Sequence, residues 1–393
     1  MSVELRPLGV SCNIACQYCY QHPQRDVADF SKSYDLEAMK SAVLREGGGF
    51  TLFGGEALLV PLADLERLWA WGLATFGKNA LQTNGTLITD AHIDLFTKYK
   101  VSVGISVDGP EALNDVRWAG TLERTRKHTA ATQTNIERLC ALNMAPSIII
   151  TLHRGNALPD KLPAMEAWLK KLDSLGVRSA RLHLMEVENE RLRGAYHLNT
   201  DEYIKALEYF HRLESQCTHL RFDIFTEIGR LQKAEDQTVS CVWKACDPYT
   251  TAAVSGVEGF GQRSNCGRTN KEGIDFVKAT VPGYARYIAL YHTPQEMGGC
   301  RDCRFFAMCK GHCPGTSLEG DWRNRTEHCD VWKYLFEKTE RGMLENGETP
   351  LSTHPVRRTV EKALLDGWSR GRNPSIQTIL AQVLENQRTA ARE

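Results

Sequence analysis

Strand-like and helix-like segments alternate along the first half of the chain, and this alternation restricts the possible folds more than any other feature. The strand-like segments are short and rich in apolar or β-branched residues, as at residues 101–107 and 147–152. Longer stretches with helical spacing of apolar residues separate them, as at residues 62–76. Such alternation predicts βαβ units that form a parallel sheet. About six units fit before residue 200, which is too few for a closed eight-unit barrel, so we predict an open, partial (β/α)6 barrel of the α/β class.

The second half of the chain has a different composition. Residues 241–329 contain eight cysteines and many glycines but few long periodic stretches, which is typical of a segment held together by metal. Helical periodicity returns at residues 332–345, 356–368 and 376–389. We therefore predict a partial barrel over residues 1–235, a cysteine-rich domain over 236–331 and a helical extension over 332–393.

Charge and cysteine usage exclude several functional classes. The 393 residues include 48 Lys and Arg against 48 Asp and Glu, and this balance gives no support to binding of nucleic acid or of a membrane surface. The N-terminal residues lack an apolar stretch of signal-peptide length, so we expect a cytoplasmic protein. Thirteen cysteines without a secretion signal favour metal binding over disulfides.

Three cysteines follow the first strand-like segment with the spacing Cys-x3-Cys-x2-Cys, at Cys12, Cys16 and Cys19. Three thiolates on one loop can ligate three irons of a cubane cluster and leave the fourth iron open to a substrate or cofactor. Four-cysteine iron–sulfur sites lack that open position. The alternative is a zinc site, for which His22 could supply the fourth ligand.

Taken in order, the motifs of residues 5–331 resemble the radical S-adenosylmethionine (SAM) superfamily and, within it, the SPASM subfamily. The cysteine loop matches the superfamily's cluster motif, with an aromatic residue, Tyr18, just before the third cysteine. Gly54-Gly55-Glu56, after the second strand, resembles the motif whose glycine backbone and carboxylate hold the amino group of SAM. Ala57 stands where members of the family usually have proline.

Two further motifs follow the third and fourth strands. The segment 82–85 resembles the end of the third strand, so the resemblance places Thr83 and Asn84 at the SAM site. The segment 106–110 resembles the end of the fourth strand, where Ser106 would contact the ribose. Asp108 and Arg117 recur with this motif in the subfamily.

The resemblance implies a specific chemistry. A [4Fe–4S] cluster with an open iron would bind SAM, and an electron donor such as flavodoxin or ferredoxin would reduce it. Reductive cleavage of SAM would then give methionine and a 5′-deoxyadenosyl radical, which abstracts a hydrogen atom from the substrate. The cofactors carry this chemistry, and the protein orients them and excludes competing reactions.

Eight downstream cysteines can fully ligate two auxiliary [4Fe–4S] clusters. The run of four from Cys300 to Cys313, followed by Pro314, resembles the SPASM core. By the resemblance, the first cluster takes Cys241, Cys246, Cys266 and Cys313, and the second takes Cys300, Cys303, Cys309 and Cys329. The alternative is two structural zinc sites. Cys140 and Cys217 remain, and their helical context predicts ordinary core thiols.

The resemblance also narrows the substrate. SPASM enzymes mostly modify peptides or proteins, and the sulfatase-maturase branch carries an Asp directly after the third SPASM cysteine, where it acts as a base. This chain has Gly267-Arg268 after Cys266. We therefore favour maturation of a ribosomally made precursor peptide, by crosslinking or backbone excision, over formylglycine formation on a sulfatase.

Acid/base residues are expected at the end of the sixth strand, where His183, Glu186 and Glu188 point by position toward the barrel mouth, although a solvated loop is the simpler interpretation. Arg263, Arg268 and Tyr249 are weaker candidates.

Because the cluster motif begins at residue 12, no leader-binding domain fits before it, so a separate leader-recognition protein or the C-terminal helices would hold the peptide leader. The alternative from a different functional class is a non-catalytic protein, either a metal-stabilised scaffold or an electron carrier. This alternative predicts that the protein does not cleave SAM.

Overall fold

The computed structural model describes residues 3–21, 33–187, 189–251, 253–269 and 279–390. It divides into two compact units. The first comprises Met1–Asp223 and Val254–Phe276, and the second comprises Ile224–Ala253 and Val277–Glu393. The three-part division predicted from the sequence remains a prediction.

Among the described residues, nine strands form one sheet in the first unit. They are β1 (Val3–Arg6), β2 (Phe50–Leu52), β3 (Asn79–Thr83), β4 (Val101–Ser106), β5 (Ser147–Leu152), β6 (Ser179–Leu184), β7 (Arg221–Phe222), β8 (Ser255–Glu258) and β9 (Arg263–Ser264). The order across the sheet is β7-β6-β5-β4-β3-β2-β1-β8-β9. Every neighbouring pair is parallel except β8 and β9. The sheet is not closed, which confirms the predicted open parallel architecture.

Helices cross over between the strands of the first unit. They are α1 (Leu36–Glu46), α2 (Leu62–Phe76), α3 (Asp90–Lys98), α4 (Leu122–Ala141), α5 (Arg154–Ala157), α6 (Leu162–Ser174), α7 (Glu190–Tyr196) and α8 (Thr200–Glu214). Strand side chains alternate in burial, as in β6, where Ala180, Leu182 and Leu184 are buried while Arg181 and His183 are half-buried. The buried faces form the core of this unit, and on β6 the opposite face carries the polar side chains of Arg181 and His183.

The second unit is mainly helical. Its helices are α9 (Asp223–Gln232, whose first residue belongs to the first unit), α10 (Ala285–His292), α11 (Phe306–Cys309), α12 (Cys329–Glu345), α13 (Arg357–Ser369) and α14 (Ile376–Ala390). Its core includes an aromatic group in which Trp243 lies 5.4 Å from Trp332 and 5.6 Å from Phe336, measured between ring centroids. None of the described helices is long and apolar enough to cross a membrane.

Candidate functional site

The three-cysteine loop follows β1 and is compact. The backbone N–H of Cys19 donates to the carbonyl of Cys16 at 3.0 Å. Burial raises the pKa of the Cys16 thiol to about 12; Arg117 opposes this shift, whereas the nearby Cys19 and Cys12 add to it. All thirteen cysteines lie in the described part of the chain and none forms a disulfide. Three neighbouring thiols on one loop fit a cluster with three protein ligands, and its binding would release their protons. His22, the fourth ligand of the alternative zinc site, lies outside the described residues.

The backbone of Gly54, Gly55 and Glu56 holds the first half of this loop. Gly55 N–H donates to the carbonyl of Gly9 at 3.0 Å, and Glu56 N–H donates to that of Ser11 at 2.8 Å. A Cβ on Gly55 would lie 2.2 Å from the Ser11 carbonyl oxygen, and Gly54 has φ +132°. The two glycines are therefore required by close packing against the cysteine loop, a role that the sequence motif did not indicate.

The carboxylate of Glu56 joins the ends of β2 and β3. It is buried and accepts hydrogen bonds from Leu58 N–H (2.9 Å), the Thr83 hydroxyl (2.7 Å) and Asn84 N–H (2.8 Å). Burial raises the pKa of Glu56, and the hydrogen bonds from Asn84, Thr83 and Leu58 limit the rise. A carboxylate has about four acceptor positions, so three of them are used within the chain. The expected contact of Glu56 with SAM remains a prediction.

Asn84 connects the end of β3 to the cysteine loop. Its amide Nδ2 donates to Asn13 Oδ1 at 2.8 Å and lies 3.9 Å from Cys12 Sγ. At the end of the next strand, Ser106 accepts a hydrogen bond from Gln82 Nε2 at 2.8 Å. The predicted SAM residues of β3 and β4 therefore lie on adjacent strand ends, and Asn84 contacts the cysteine loop directly.

Asp108, just beyond β4, collects contacts from three segments of the chain. It accepts hydrogen bonds from the Tyr18 hydroxyl (2.5 Å), the Arg117 guanidinium (3.0 Å) and Thr151 N–H (2.9 Å). Burial alone would raise the pKa of Asp108, but Arg117 and then His153 hold it well below its usual range. Tyr18 therefore anchors the cysteine loop to a buried carboxylate.

The loop after β4 also holds the second half of the cysteine loop through its backbone. Ala15 N–H donates to the Trp118 carbonyl at 2.7 Å, and Gln17 N–H donates to the Val116 carbonyl at 2.9 Å. In the sequence, Arg117 alone marked the segment that makes this contact. The backbone hydrogen bonds themselves could not be predicted, because they do not depend on residue type. Loops that follow β2, β3 and β4 thus hold the three cysteines in place.

The predicted acid/base residues meet a third side chain, Arg268. Its Nε lies 2.5 Å from Glu186 Oε1, and its Nη2 lies 3.0 Å from His183 Nδ1. Because arginine only donates, Nδ1 of His183 accepts, and the proton of the neutral imidazole is then on Nε2. The structure therefore brings His183, Glu186 and Arg268 together, while Glu188 lies outside the described residues.

Gly267 packs against the residue that follows the third cysteine of the loop. A Cβ on Gly267 would lie 2.5 Å from Cε2 of Tyr20. Burial, followed by the charge of Glu4, raises the pKa of Tyr20 well above its usual value, so this ring is neutral. The position directly after Cys266 therefore has no room for a side chain unless Tyr20 moves. The sequence showed the glycine but gave no sign of its contact with Tyr20.

In the second unit, four of the downstream cysteines line one pocket: Cys300, Cys303, Cys309 and Cys329. Burial raises the pKa of all four thiols, that of Cys300 to about 12. Four converging thiols fit a fully ligated iron–sulfur cluster. Of the other four, Cys241, Cys246 and Cys313 belong to the second unit and Cys266 to the first, and their grouping remains a prediction. Cys140 and Cys217 are buried.

A family comparison accounts for the cysteine loop and the strand-end motifs together. Residues 7–160 match the family described as the radical SAM superfamily. These residues carry a radical SAM domain. The predicted radical SAM domain and enzymatic nature are thereby confirmed, and this domain implies a [4Fe–4S] cluster and SAM as cofactors.

Relatives of this chain include sulfatase maturases. Over 214 residues it is 31% identical to a serine-type anaerobic sulfatase-maturating enzyme from Klebsiella aerogenes, which covers 51% of this chain and 50% of the relative. Over 129 residues it is 34% identical to a cysteine-type anaerobic sulfatase-maturating enzyme from Clostridium perfringens, covering 30% of this chain and 35% of the relative. The chain spans half or less of the length of these curated relatives.

A solved structure shares the fold over most of the chain. The structure described as native anSMEcpe with bound AdoMet has a TM-score of 0.63 at 20% identity and covers 88% of this chain and 98% of its own. The same protein with bound AdoMet and Kp18Cys peptide has a TM-score of 0.65 at 21% identity, with the same coverage. At this identity the likeness establishes the fold alone. The sequence-based preference for precursor-peptide maturation over sulfatase maturation is not confirmed, because both have support.

Proposed function

We propose that this radical SAM enzyme is a SPASM-type maturase that modifies a ribosomally made precursor peptide by hydrogen-atom abstraction. The observation that carries the proposal is the three-cysteine loop, fixed by the loops after β2, β3 and β4. Its three thiolates would hold three irons of a cubane cluster and would leave the fourth iron without a protein ligand. When bound, the cluster supplies one electron to SAM, whose cleavage gives methionine and the 5′-deoxyadenosyl radical that attacks the substrate.

The residues around the loop would position SAM. In this proposal Gly54 and Gly55 present backbone to the amino group, and Thr83, Asn84 and Ser106 line the site from neighbouring strand ends. Glu56 fixes the end of β2 relative to β3 through its three hydrogen bonds. Tyr18 keeps the loop in register with Asp108. A site held this rigidly orients the bound cofactor and excludes competing reactions.

Glu186 and His183 would handle protons in the same proposal. The carboxylate of Glu186, held by Arg268, would accept a proton from the oxidised substrate. His183, with its proton on Nε2, can donate a hydrogen bond to a substrate oxygen or nitrogen. Replacement of Glu186 by Gln should reduce formation of modified peptide more than formation of 5′-deoxyadenosine, and equal losses of the two products would contradict this role.

Two auxiliary [4Fe–4S] clusters complete the proposed set of cofactors. Cys300, Cys303, Cys309 and Cys329 would hold one of them, and their shared pocket supports this grouping. Cys241, Cys246, Cys266 and Cys313 would hold the other. With all their irons ligated by protein, both clusters would transfer electrons and would not bind SAM.

Sulfatase maturation is the second candidate, supported by the sequence relatives. The packing of Gly267 on Tyr20 argues against this candidate. Gly267 stands at the position where sulfatase maturases carry the Asp that acts as a base. The test is to incubate anaerobically reconstituted protein with SAM, dithionite and one of two kinds of peptide. One is a sulfatase-derived peptide with Cys or Ser at the modified position, and the other is a short peptide encoded beside this gene.

We expect 5′-deoxyadenosine together with a mass change on the gene-adjacent peptide only. Formylglycine on the sulfatase peptide would establish the second candidate in place of the first. Absence of 5′-deoxyadenosine from iron-loaded protein would contradict both and return the chain to the class of metal-stabilised scaffolds.

The proposed partners are the precursor peptide, a separate leader-recognition protein and an electron donor such as flavodoxin or ferredoxin. A tethered leader raises the effective concentration of the core peptide at the active site. The leader should therefore be needed for turnover at low peptide concentration. Titration of the core peptide with and without its leader, in the presence of a gene-adjacent small protein, measures this dependence, and equal rates would exclude leader recognition.

A further inference from the structure

The pocket lined by Cys300, Cys303, Cys309 and Cys329 is also lined by two residues with unused hydrogen-bond donors. Nε of Arg325 and Nε1 of Trp332 are buried, and neither has a hydrogen-bond partner among the described residues. Buried N–H groups in native proteins are rarely left without an acceptor, because removing them from water has a cost that an acceptor must offset. Two such donors at one pocket indicate that the acceptor is the group that fills it.

The indole of Trp332 is held in one orientation. Trp332 is 4% exposed, and its ring stacks on that of His312 with centroids 4.5 Å apart and planes 29° apart. The ring of Trp243 lies 5.4 Å away on a nearly perpendicular plane. With both neighbours in place the indole cannot turn its N–H toward another acceptor, so the direction of this donor is set by the fold.

The Arg325 guanidinium is fixed beside the same pocket by Gln295. Its Nη2 donates to the Gln295 carbonyl at 3.3 Å, while Lys333 Nζ, from a third residue that lines the pocket, donates to Gln295 Oε1 at 2.5 Å. Arg325 and Lys333 therefore bring two cationic side chains to the lining of this pocket.

We propose that Arg325 and Trp332 donate N–H hydrogen bonds to sulfur atoms of the [4Fe–4S] cluster held by the four cysteines, and that with Lys333 they raise its reduction potential. The proposal rests on the cluster assignment made in the proposed function. One-electron reduction adds negative charge to the cluster, and hydrogen-bond donors and cations stabilise that charge.

The pocket's apolar walls act in the opposite direction. Phe305, Phe306 and Phe336 line the same pocket and keep water from the cluster, which disfavours the added charge. The two donors and the lysine therefore set the potential within an otherwise apolar site. A higher potential makes this cluster, rather than the SAM-cleaving one, the acceptor for an electron released by the substrate radical.

The test is a redox titration followed by electron paramagnetic resonance on the full chain. The parent protein carries Cys12→Ala, Cys16→Ala and Cys19→Ala, so that only auxiliary clusters contribute signals. Trp332→Phe removes one donor and keeps the ring, while Arg325→Lys removes the Nε donor and keeps the charge. Trp322→Phe and Arg323→Lys are matched controls, because neither residue lines the pocket.

In each test variant we expect one of the two auxiliary potentials to become more negative, with an equilibrium constant for reduction at least tenfold lower. For one electron this factor corresponds to about 59 mV. The controls should leave both potentials in place. Unchanged potentials in iron-loaded test variants would overturn the proposal, and so would the loss of four irons from both, since that outcome assigns the residues a structural role.

Failure of the cluster assignment gives a different result. If the pocket holds the predicted cluster, adding Cys303→Ala and Cys309→Ala to the parent removes about four irons, in line with four irons per cubane cluster. Retention of those irons would show that this pocket does not hold the cluster. That result would overturn both this part of the proposed function and the inference.

Discussion

Asp108 links more of the candidate site than any other single side chain described above. Its carboxylate contacts the cysteine loop through Tyr18, the loop after β4 through Arg117, and β5 through Thr151. The side chain is fully buried, and that of Arg117 is 10% exposed. Breaking a buried pair by neutralising one partner leaves an uncompensated charge inside the protein, which costs about 3–5 kcal/mol.

The first prediction is that Asp108→Asn lowers the free energy of unfolding of the metal-free protein by roughly that amount, about 3–5 kcal/mol. Denaturant unfolding measures the change. The control is Asp115→Asn, whose partner Arg126 is half exposed, and there we expect about 0.2–1 kcal/mol. A loss at Asp108 no larger than that of the control would show that the network does not support the loop.

The same comparison has a defined pH dependence. Because the pKa of Asp108 is lower in the folded protein, its contribution to stability is present above the unfolded pKa and is lost as pH falls toward the folded value. The difference between wild type and Asp108→Asn should therefore be constant near neutral pH and should decline below about pH 4, the range in which an unfolded Asp titrates. A difference that grows on acidification would contradict the sign.

The second prediction concerns Gly55. A methyl group there would meet the Ser11 and Val10 carbonyl oxygens at 2.2 and 2.3 Å, so Gly55→Ala must displace the start of the cysteine loop. We expect about 1–3 kcal/mol of destabilisation from overpacking and loss of the irons of this cluster.

Iron analysis and thermal unfolding measure the effect of Gly55→Ala. Gly194→Ala is the matched control, since nothing lies within 4 Å of the added carbon and the residue is inside α7. It should gain about 0.5–1 kcal/mol and keep its iron. Full iron content in Gly55→Ala would show that the close contact is not needed.

For single residues, the sequence was informative where the spacing of residues along the chain determines the chemistry. The three loop cysteines and the glycine pair could be identified because thiolate spacing and chain order are visible in the sequence. The contacts of Asn13, Tyr20 and Trp118 could not be predicted, because they depend on which loops meet across strands.

Among the elements, helix α13 lies in the region predicted as a C-terminal extension, but it packs closely within the second unit. It packs against α10 and α11, the latter ending at Cys309. Trp368 of α13 is 2% exposed, and its ring lies 5.4 Å from Tyr287 and 6.0 Å from Phe306. The helix therefore supports the segment that carries a predicted cluster ligand.

The third prediction follows from that packing. Trp368→Ala should destabilise the second unit by about 3–5 kcal/mol and should reduce iron content by about four, because the cavity lies beside the helix that ends at Cys309. Thermal unfolding and iron analysis report the two effects. Arg370→Ala, at an exposed position of the same segment, should change neither. Wild-type iron content in Trp368→Ala would show that α13 is a separate appendage.

Element prediction succeeded where apolar periodicity was strong. The strand at residues 147–152 and the helix at residues 62–76 were predicted with the bounds that the structure shows. Helix α8 was missed, although a capping box of Asn199 and Glu202 marks its start, so the sequence did contain a signal for it. Strand β8 could not be predicted locally, because its four residues are ordered by pairing with β1, far away in the chain.

At the scale of the whole molecule, the cysteine inventory predicts the metal content. Three loop thiols and two sets of four correspond to three cubane clusters, or about 12 irons per chain. The fourth prediction is that replacing Cys12, Cys16 and Cys19 together with Ala leaves about 8 irons and abolishes 5′-deoxyadenosine formation from SAM and dithionite.

Anaerobic iron and sulfide analysis, with chromatography of the nucleoside product, tests this fourth prediction. Cys140→Ala is the control, because that thiol is buried in α4 and belongs to none of the three sets. It should keep both the iron and the activity. SAM cleavage by the triple variant would show that the three-cysteine loop does not hold the cluster that cleaves SAM. Stoichiometric zinc in the wild type would contradict the assignment of iron–sulfur clusters as a whole.

The position of β1 in the sheet affects how the chain matures during synthesis. β1 lies between β2 and β8, yet β8 begins only at Ser255. At ribosomal rates of about 5–20 residues per second, roughly 12–50 s separate the emergence of these two neighbours. During that interval one edge of β1 carries unpaired backbone groups that the β1 strand of another nascent chain can pair with. Slow translation and crowded polysomes should therefore favour aggregation of this protein before its last parallel strand arrives.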